Sequence, residues 1–212
     1  DFNNLLTVIC GHLDLLDKTG LSKQDLAGIA AARTATDEAA ELVEQLLRLA
    51  RERPQELIEL DLTESVRQVA GMLARVLPRE VQLSTSITEA AITVACDKSF
   101  PQRALTNLIM NAVDAIPNHG TIDVSLDVVM NNLPVELSPG PYARLVVRDD
   151  GSGIPAELHN KILEPFFSTK TSGLGTGLGL SAVFQGALQA GGTLQFESTV
   201  GVGTTFEVYL PL

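Results

Sequence analysis

The sequence predicts an α+β protein: an N-terminal helical hairpin followed by an α/β sandwich of helices on a sheet built with antiparallel hairpins. Three observations predict it. Apolar residues recur at helical spacing in two stretches, first Phe2, Leu5, Leu6, Ile9, Leu13 and Leu16, then Leu26, Ile29, Ala39, Val43, Leu46 and Leu47. Beyond residue 60, short apolar strands alternate with helical stretches. At the end of the chain two strand-like runs bracket the turn Val200-Gly-Val-Gly203.

In order along the chain, the first helix covers residues 1–17 and stops at Lys18-Thr-Gly20. Ser22 and Asp25 cap a second helix that reaches about Arg51. Arms of about 17 and about 29 residues are lopsided, so the expectation is a first helix shortened by about a dozen residues relative to its partner. Two amphipathic helices close no core alone. A homodimer that pairs two hairpins into a four-helix bundle is therefore expected. The domain division is 1–52 for the dimerisation hairpin, 53–58 for a linker carrying Pro54, and 59–212 for the second domain.

Within that domain Asp61-Leu-Thr-Glu64 caps a helix to about Val76. Strands are expected near 81–87 and 91–95, then a helix over 99–116 ended by Pro117 and Gly120. Strands over 121–129 and 144–148 flank a Pro-rich loop, 131–141, and the closing hairpin joins 193–198 to 204–210.

The composition excludes several classes of partner. A formal net charge of −11 argues against nucleic acid and against an anionic membrane surface. No apolar run approaches the roughly 18 residues of a membrane span. Cys10 and Cys96 sit in apolar contexts and read as buried small hydrophobes in a reducing cytoplasm. The three histidines are scattered, without metal-ligand spacing.

The chemistry concentrates between Arg148 and Leu180. There the apolar run RLVV leads into Arg148-Asp-Asp-Gly-Ser-Gly153, and a second glycine run, Gly173-x-Gly175-x-Gly177-x-Gly179, opens a helix. Asp149 is placed to accept a hydrogen bond from a base amine, with Gly151 and Gly153 letting the backbone approach a flat ring. The second run leaves backbone N–H groups at a positive helix end for phosphate oxygens. The Rossmann and P-loop spacings are both absent. Upstream, Asn107, Asn111 and Asp114 recur at i, i+4 and i+7 and share a face of the helix that carries them.

The order of Asn-bearing helix, DxGxG, Phe-Phe, GxGxGLGL and GxGT resembles the ATP-binding domain shared by sensor histidine kinases, type II topoisomerases, large chaperones and mismatch-repair ATPases. The wording EPFFSTK and GTGLGLSAV resembles histidine kinases in particular. DFNNLLTVICGHLDLL is similar to the helix that carries their phosphoacceptor histidine. The resemblance implies ATP and Mg²⁺ as cofactors and a response regulator receiver domain as partner, in a cytoplasmic two-component kinase. It implies Asn111 as the Mg²⁺ ligand through its side-chain oxygen, a hard-cation site that keeps several waters. Asp149, Gly151, Gly153 and Thr204 then serve the base, with Asn107, Gly175, Gly177, Leu178 and Gly179 around the phosphates. Thr204 faces inward on its strand, its hydroxyl supporting Asp149. Asp150 is the solvent-facing acid of the pair. Phe166 and Phe167 are packing residues that anchor a lid over 168–176.

Two departures from the family pattern matter. Asp114 stands where some relatives carry a phosphate-contacting lysine, so Lys170 is the expected cation. The phosphoacceptor histidine, expected immediately before Asp1, is not in the sequence, and His12 reads as structural. Asp1 is expected to orient the acceptor imidazole and take its proton, and Asn4 to orient water for dephosphorylating a partner. Hydrolytic relatives carry a glutamate base four residues before the metal-binding asparagine. Asn107 occupies that position and takes no proton at neutral pH. The expectation is a histidine kinase core that, as 1–212, does not label itself. The alternatives are a phosphotransferase or interaction module that does not use ATP, and a hydrolytic ATPase.

Overall fold

The computed structural model describes Ile29, Thr36, residues 56–169 and residues 177–212. The chain divides into two compact units, Asp1–Arg53 and Pro54–Leu212. In the first, Ile29 and Thr36 are helical, and the hairpin expectation otherwise lies outside the described residues.

The second unit is an α+β sandwich. It opens with β1 (Ile58–Asp61), a strand inside and just past the stretch expected to be linker. Asp61 ends β1 and caps α1 (Leu62–Leu73), its carboxylate accepting the N–H of Glu64 at 3.1 Å, an arrangement worth about 1 kcal/mol. Then come β2 (Val81–Ile87) and β3 (Thr93–Cys96), the latter shifted toward Cys96 relative to the expected run. Next is α2 (Phe100–Ala115), entered through Pro101 in its first turn. The remaining elements are β4 (Gly120–Val129), β5 (Tyr142–Asp149), α3 (Gly179–Gln189), β6 (Thr193–Thr199) and β7 (Gly203–Pro211).

β1 pairs antiparallel with β3, Ile58 opposite Cys96. The other strands form one sheet in the order β2-β4-β5-β7-β6. Its β4-β5-β7-β6 part is antiparallel, but β2 joins β4 in parallel, Val81 opposite Gly120. That parallel pair was not expected. It follows from the crossover between β2 and β4, which contains α2 and so returns the chain to the same end.

Alternation along the strands decides which face is covered. Ile122, Val124 and Leu126 of β4, Leu145 and Val147 of β5, and Phe206 and Val208 of β7 are all buried. They pack in one core with Leu62 and Val66 of α1, Leu105 and Ile109 of α2, and Val183 and Ala187 of α3. On the opposite face Arg144 of β5 is forked by Asp127 of β4, at 3.0 and 2.7 Å, and lies 3.5 Å from Glu207 of β7. Pairs this exposed contribute at most about 1 kcal/mol. Cys96 is fully buried, and that burial pushes its thiol up to about 11, so it behaves as an inert core residue. None of the helices among the described residues is long and apolar enough to cross a membrane.

Candidate nucleotide-binding site

The end of β5 positions the acid of the site. Asp149 is the last residue of that strand and is only 6% exposed, while its neighbour Asp150 is exposed, its carboxylate held by Thr121 at the start of β4. The Asp149 carboxylate receives two backbone donors, the N–H of Gly151 at 2.9 Å and that of Thr204, the residue opposite it on β7. Burial nevertheless wins: desolvation raises the Asp149 carboxyl above the ordinary value, with the two N–H groups pulling the other way and Asp150 adding repulsion. An ionised carboxylate has room for about four donors, so acceptor capacity remains. A desolvated carboxylate with unused acceptor sites at the wall of a cleft is suited to a neutral N–H donor.

The cleft is about 660 Å³, within the usual range for a small-molecule site. Asn107, Asn111 and Asp114 of α2 all line it, which places the polar stripe read from the sequence on the cavity side of its helix. Asp149 and Thr204 line the same space, as do Gly153, Gly177 and Gly179. Asn107 and Asn111 are half-buried and Asp114 is exposed. Leu178 is buried and precedes α3, packing the glycine run's end into the core. A Cβ built on Gly179 would sit 3.1 Å from the Asn107 amide oxygen, so the asparagine helix and the first turn of α3 converge.

The glycines after Asp149 are packed tightly against other parts of the chain. A Cβ at Gly151 would lie 2.6 Å from the carbonyl oxygen of Ala115, the last residue of α2, and Ser152 N–H donates to that same carbonyl at 2.8 Å. A Cβ at Gly153 would collide with the backbone carbonyl of Thr199. These residues let the turn seat between a helix end and the β6–β7 hairpin. The close approach seen at both is to protein backbone, and Gly153 also lines the cleft.

Gly177 has φ +65°, and a Cβ there would meet the backbone of Phe166 and Phe167, including the Phe167 oxygen at 2.7 Å. The two phenylalanines also divide. Phe167 packs against the core as expected, whereas Phe166 is 54% exposed with φ 69°, so it is no packing residue. The backbone turns over between them, and only one ring can face inward. Thr204 is buried as expected, but its support for Asp149 is the backbone N–H; its hydroxyl oxygen lies 2.9 Å from that of Ser198.

Asp1, Asn4, Lys170 and Gly175 lie outside the described residues. The sequence reading missed the apolar walls of the cleft, among them Ile154, Leu158 and Ile162. The one signal for Ile154 was its place directly after the DxGxG turn. It also missed Ser198, whose polar partners are invisible in a strand pattern. No cluster of metal-ligating His, Cys, Asp and Glu occurs among the described residues.

The family described as "Histidine kinase-, DNA gyrase B-, and HSP90-like ATPase" matches residues 96–212, more than half of the chain. The chain belongs to this ATPase family. It is 36% identical to sensor kinase CckA of Brucella abortus over the whole chain and 23% of that protein. The catalytic domain of histidine kinase ThkA is similar at 28% identity and TM-score 0.60, over 74% of this chain and 95% of that one. Full-length ShkA, solved in complex with AMPPNP, shares the fold at TM-score 0.79 and 23% identity, over 99% of this chain and 43% of that one. The curated relatives are sensor histidine kinases, and the chain spans about a quarter to a third of the length of those most similar to it. Its architecture is that of a histidine kinase catalytic core. The residues that line the cleft, from Asn107 to Phe206, all fall within the matched stretch.

Proposed function

We propose that the chain is the catalytic part of a two-component sensor histidine kinase, which binds Mg–ATP in this cleft and phosphorylates a histidine. The observation that carries the reading is the desolvated carboxylate of Asp149 in a cleft that also holds the amide stripe of α2. The residues fit the cofactor: a buried acceptor for a base amine, apolar walls for a ring, and an amide oxygen at Asn111 for Mg²⁺. When bound, ATP supplies the transferable phosphoryl group and Mg²⁺ neutralises its charge.

Each role proposed for the chain's own residues follows from that fit. Asp149 accepts from the base, with Thr204 beside it. Asn111 holds the cation. Gly177 and Gly179 leave the entrance of α3 open to anions, and Gly175 and Lys170 are assigned to the same phosphates. Position 107 carries an amide that cannot take a proton, so water is left unactivated and the phosphoryl group is kept for another nucleophile. Phosphoryl transfer needs alignment and charge stabilisation more than covalent help. Asp1 would orient the acceptor imidazole and take the N–H proton of one ring nitrogen, leaving the lone pair of the other for the phosphoryl group that ATP gives up as ADP leaves. Asn4 orients water for dephosphorylating the partner. That partner is the receiver domain of a response regulator, whose aspartate takes the phosphoryl group next, and the kinase works as a homodimer through its first unit.

A polypeptide of residues 1–212 has three histidines, His12, His119 and His159, and none is proposed as an acceptor. Calorimetric titration with ADP in the presence and absence of Mg²⁺ tests the reading. Micromolar, magnesium-dependent binding, about −8 kcal/mol, is expected. No binding of either ATP or ADP would sink it.

A further inference from the structure

The side chain of Ser198 on β6 stands where three segments of the site meet. Its oxygen accepts the N–H of Ile154, in the turn after Asp149, at 2.8 Å. The same oxygen lies 3.1 Å from the carbonyl oxygen of Gly203 and 2.9 Å from the hydroxyl oxygen of Thr204. Ser198 has one hydrogen and two lone pairs to distribute among three partners. The N–H of Ile154 only donates and the carbonyl of Gly203 only accepts. The arrangement that satisfies all three gives the Ser198 hydrogen to Gly203, so Thr204 must donate its own hydrogen to Ser198.

The consequence falls on the cleft. Thr204 is 4% exposed, lines the cavity and pairs with Asp149 across β5 and β7. We propose that Ser198 is a positioning residue for base selection: by taking the Thr204 hydrogen it leaves Thr204 Oγ1 as an acceptor. Asp149 and Thr204 then present acceptors alone to the ligand. Such a surface takes a ring edge with an exocyclic amino group, which carries two N–H donors, and rejects a carbonyl at the same place. The assignment rests on the reading of the cleft as a nucleotide site. Ser198 also steadies that surface, since it holds Ile154 of the cleft wall, and the neighbouring N–H of Gly201 donates to Ser152 O at 2.9 Å.

The test compares ADP with inosine diphosphate, which carries an oxygen in place of the amino group, by calorimetry on the 212-residue protein. The unsubstituted protein should prefer ADP. In Ser198→Ala the Thr204 hydroxyl is released to donate or accept, and the preference should fall about tenfold, the scale of one misplaced hydrogen bond. Ser198→Thr should restore it. Thr204→Val should lower the same ratio, and the double variant Ser198→Ala/Thr204→Val should lower it no further, because the two act through one hydroxyl. An unchanged ratio in Ser198→Ala, or equal weakening of both nucleotides, would overturn the assignment. If Ser198→Ala lacks a cooperative thermal transition, Ser198→Cys keeps the volume with a weaker donor and acceptor. It should give a partial fall, and an unchanged ratio there overturns the assignment equally. Failure of the unsubstituted protein to bind ADP is a separate result, visible before any substitution, and it would remove the nucleotide reading and this one together.

Discussion

Asp150 clamps Thr121, accepting its backbone N–H at 2.7 Å and its hydroxyl at 2.9 Å. The first contact of β4 is thereby tied to the turn that follows β5. Asp149 and Asp150 are adjacent in sequence and have opposite electrostatic fates. The Thr121 backbone N–H, joined by the hydroxyl, holds the Asp150 carboxyl below its ordinary value. Burial holds that of Asp149 above it.

Asp150→Ala should therefore destabilise the fold at neutral pH in a way that acid erases. A carboxyl lowered in the folded state contributes stability above the unfolded value of about 3.9. That contribution disappears as pH falls through the depressed folded value. Thermal unfolding of both proteins between pH 7 and pH 2.5 should show the midpoints converging at the acid end. A gap that persists there would mean Asp150 acts through something other than its charge.

Asp149 carries the reverse sign. Below about pH 3.9 both states are protonated. As pH rises toward the raised folded value, the unfolded chain releases its proton first and stability declines. Asp149→Asn should flatten that decline while abolishing discrimination between ADP and GDP. Unaltered base selectivity in the variant would show that Asp149 does not read the base.

Asn111→Ala should leave the fold intact, since the side chain is half-buried on the cleft face of α2. Its effect should be confined to the cation: ADP affinity becomes the same with and without Mg²⁺. Retention of magnesium dependence would assign the metal elsewhere.

Gly177→Ala asks a side chain to occupy the left-handed region and the space of the Phe166–Phe167 backbone. The strain is about 1–3 kcal/mol, and the backbone contact leaves little room to relax. We expect a lower unfolding midpoint and weaker ADP binding together. Normal binding in a normally stable variant would show that the segment repacks freely.

Residues 1–212 incubated with labelled ATP should take up no acid-labile label. Adding a histidine immediately before Asp1 should create it, and Asp1→Asn in that longer protein should slow labelling by roughly 10²–10⁴. Asn4→Ala should spare labelling. Acid-resistant label, or label on His12, would overturn the proposed chemistry.

Much of the domain was legible in the sequence because its signals are local. Asp61 caps the helix it was read as capping, and Asn107, Asn111 and Asp114 share the cavity face that their spacing implies. What escaped was non-local. β1 is four residues long and exists because β3 pairs with it, so Ile58 looked like linker. Phe166 and Phe167 are indistinguishable as a dipeptide, and only the left-handed backbone at Phe166 separates them. Gly151 and Gly153 announced close approach correctly. What approaches them, Ala115 and Thr199, comes from distant parts of the chain.

The pairing of Asp149 with Thr204 also bears on how the site is made. Its acid comes from β5 and the supporting N–H from β7, the last strand described, with α3 and β6 between them in sequence. Contacts so distant along the chain form late, because the loop between them must first be closed. During synthesis, a nascent chain that stopped short of Gly203 would already contain both glycine clusters and the asparagine helix. It would lack the Asp149–Thr204 pair, so under the proposed function nucleotide capture would report completion of the sheet, and a bound ligand would stabilise finished chains alone.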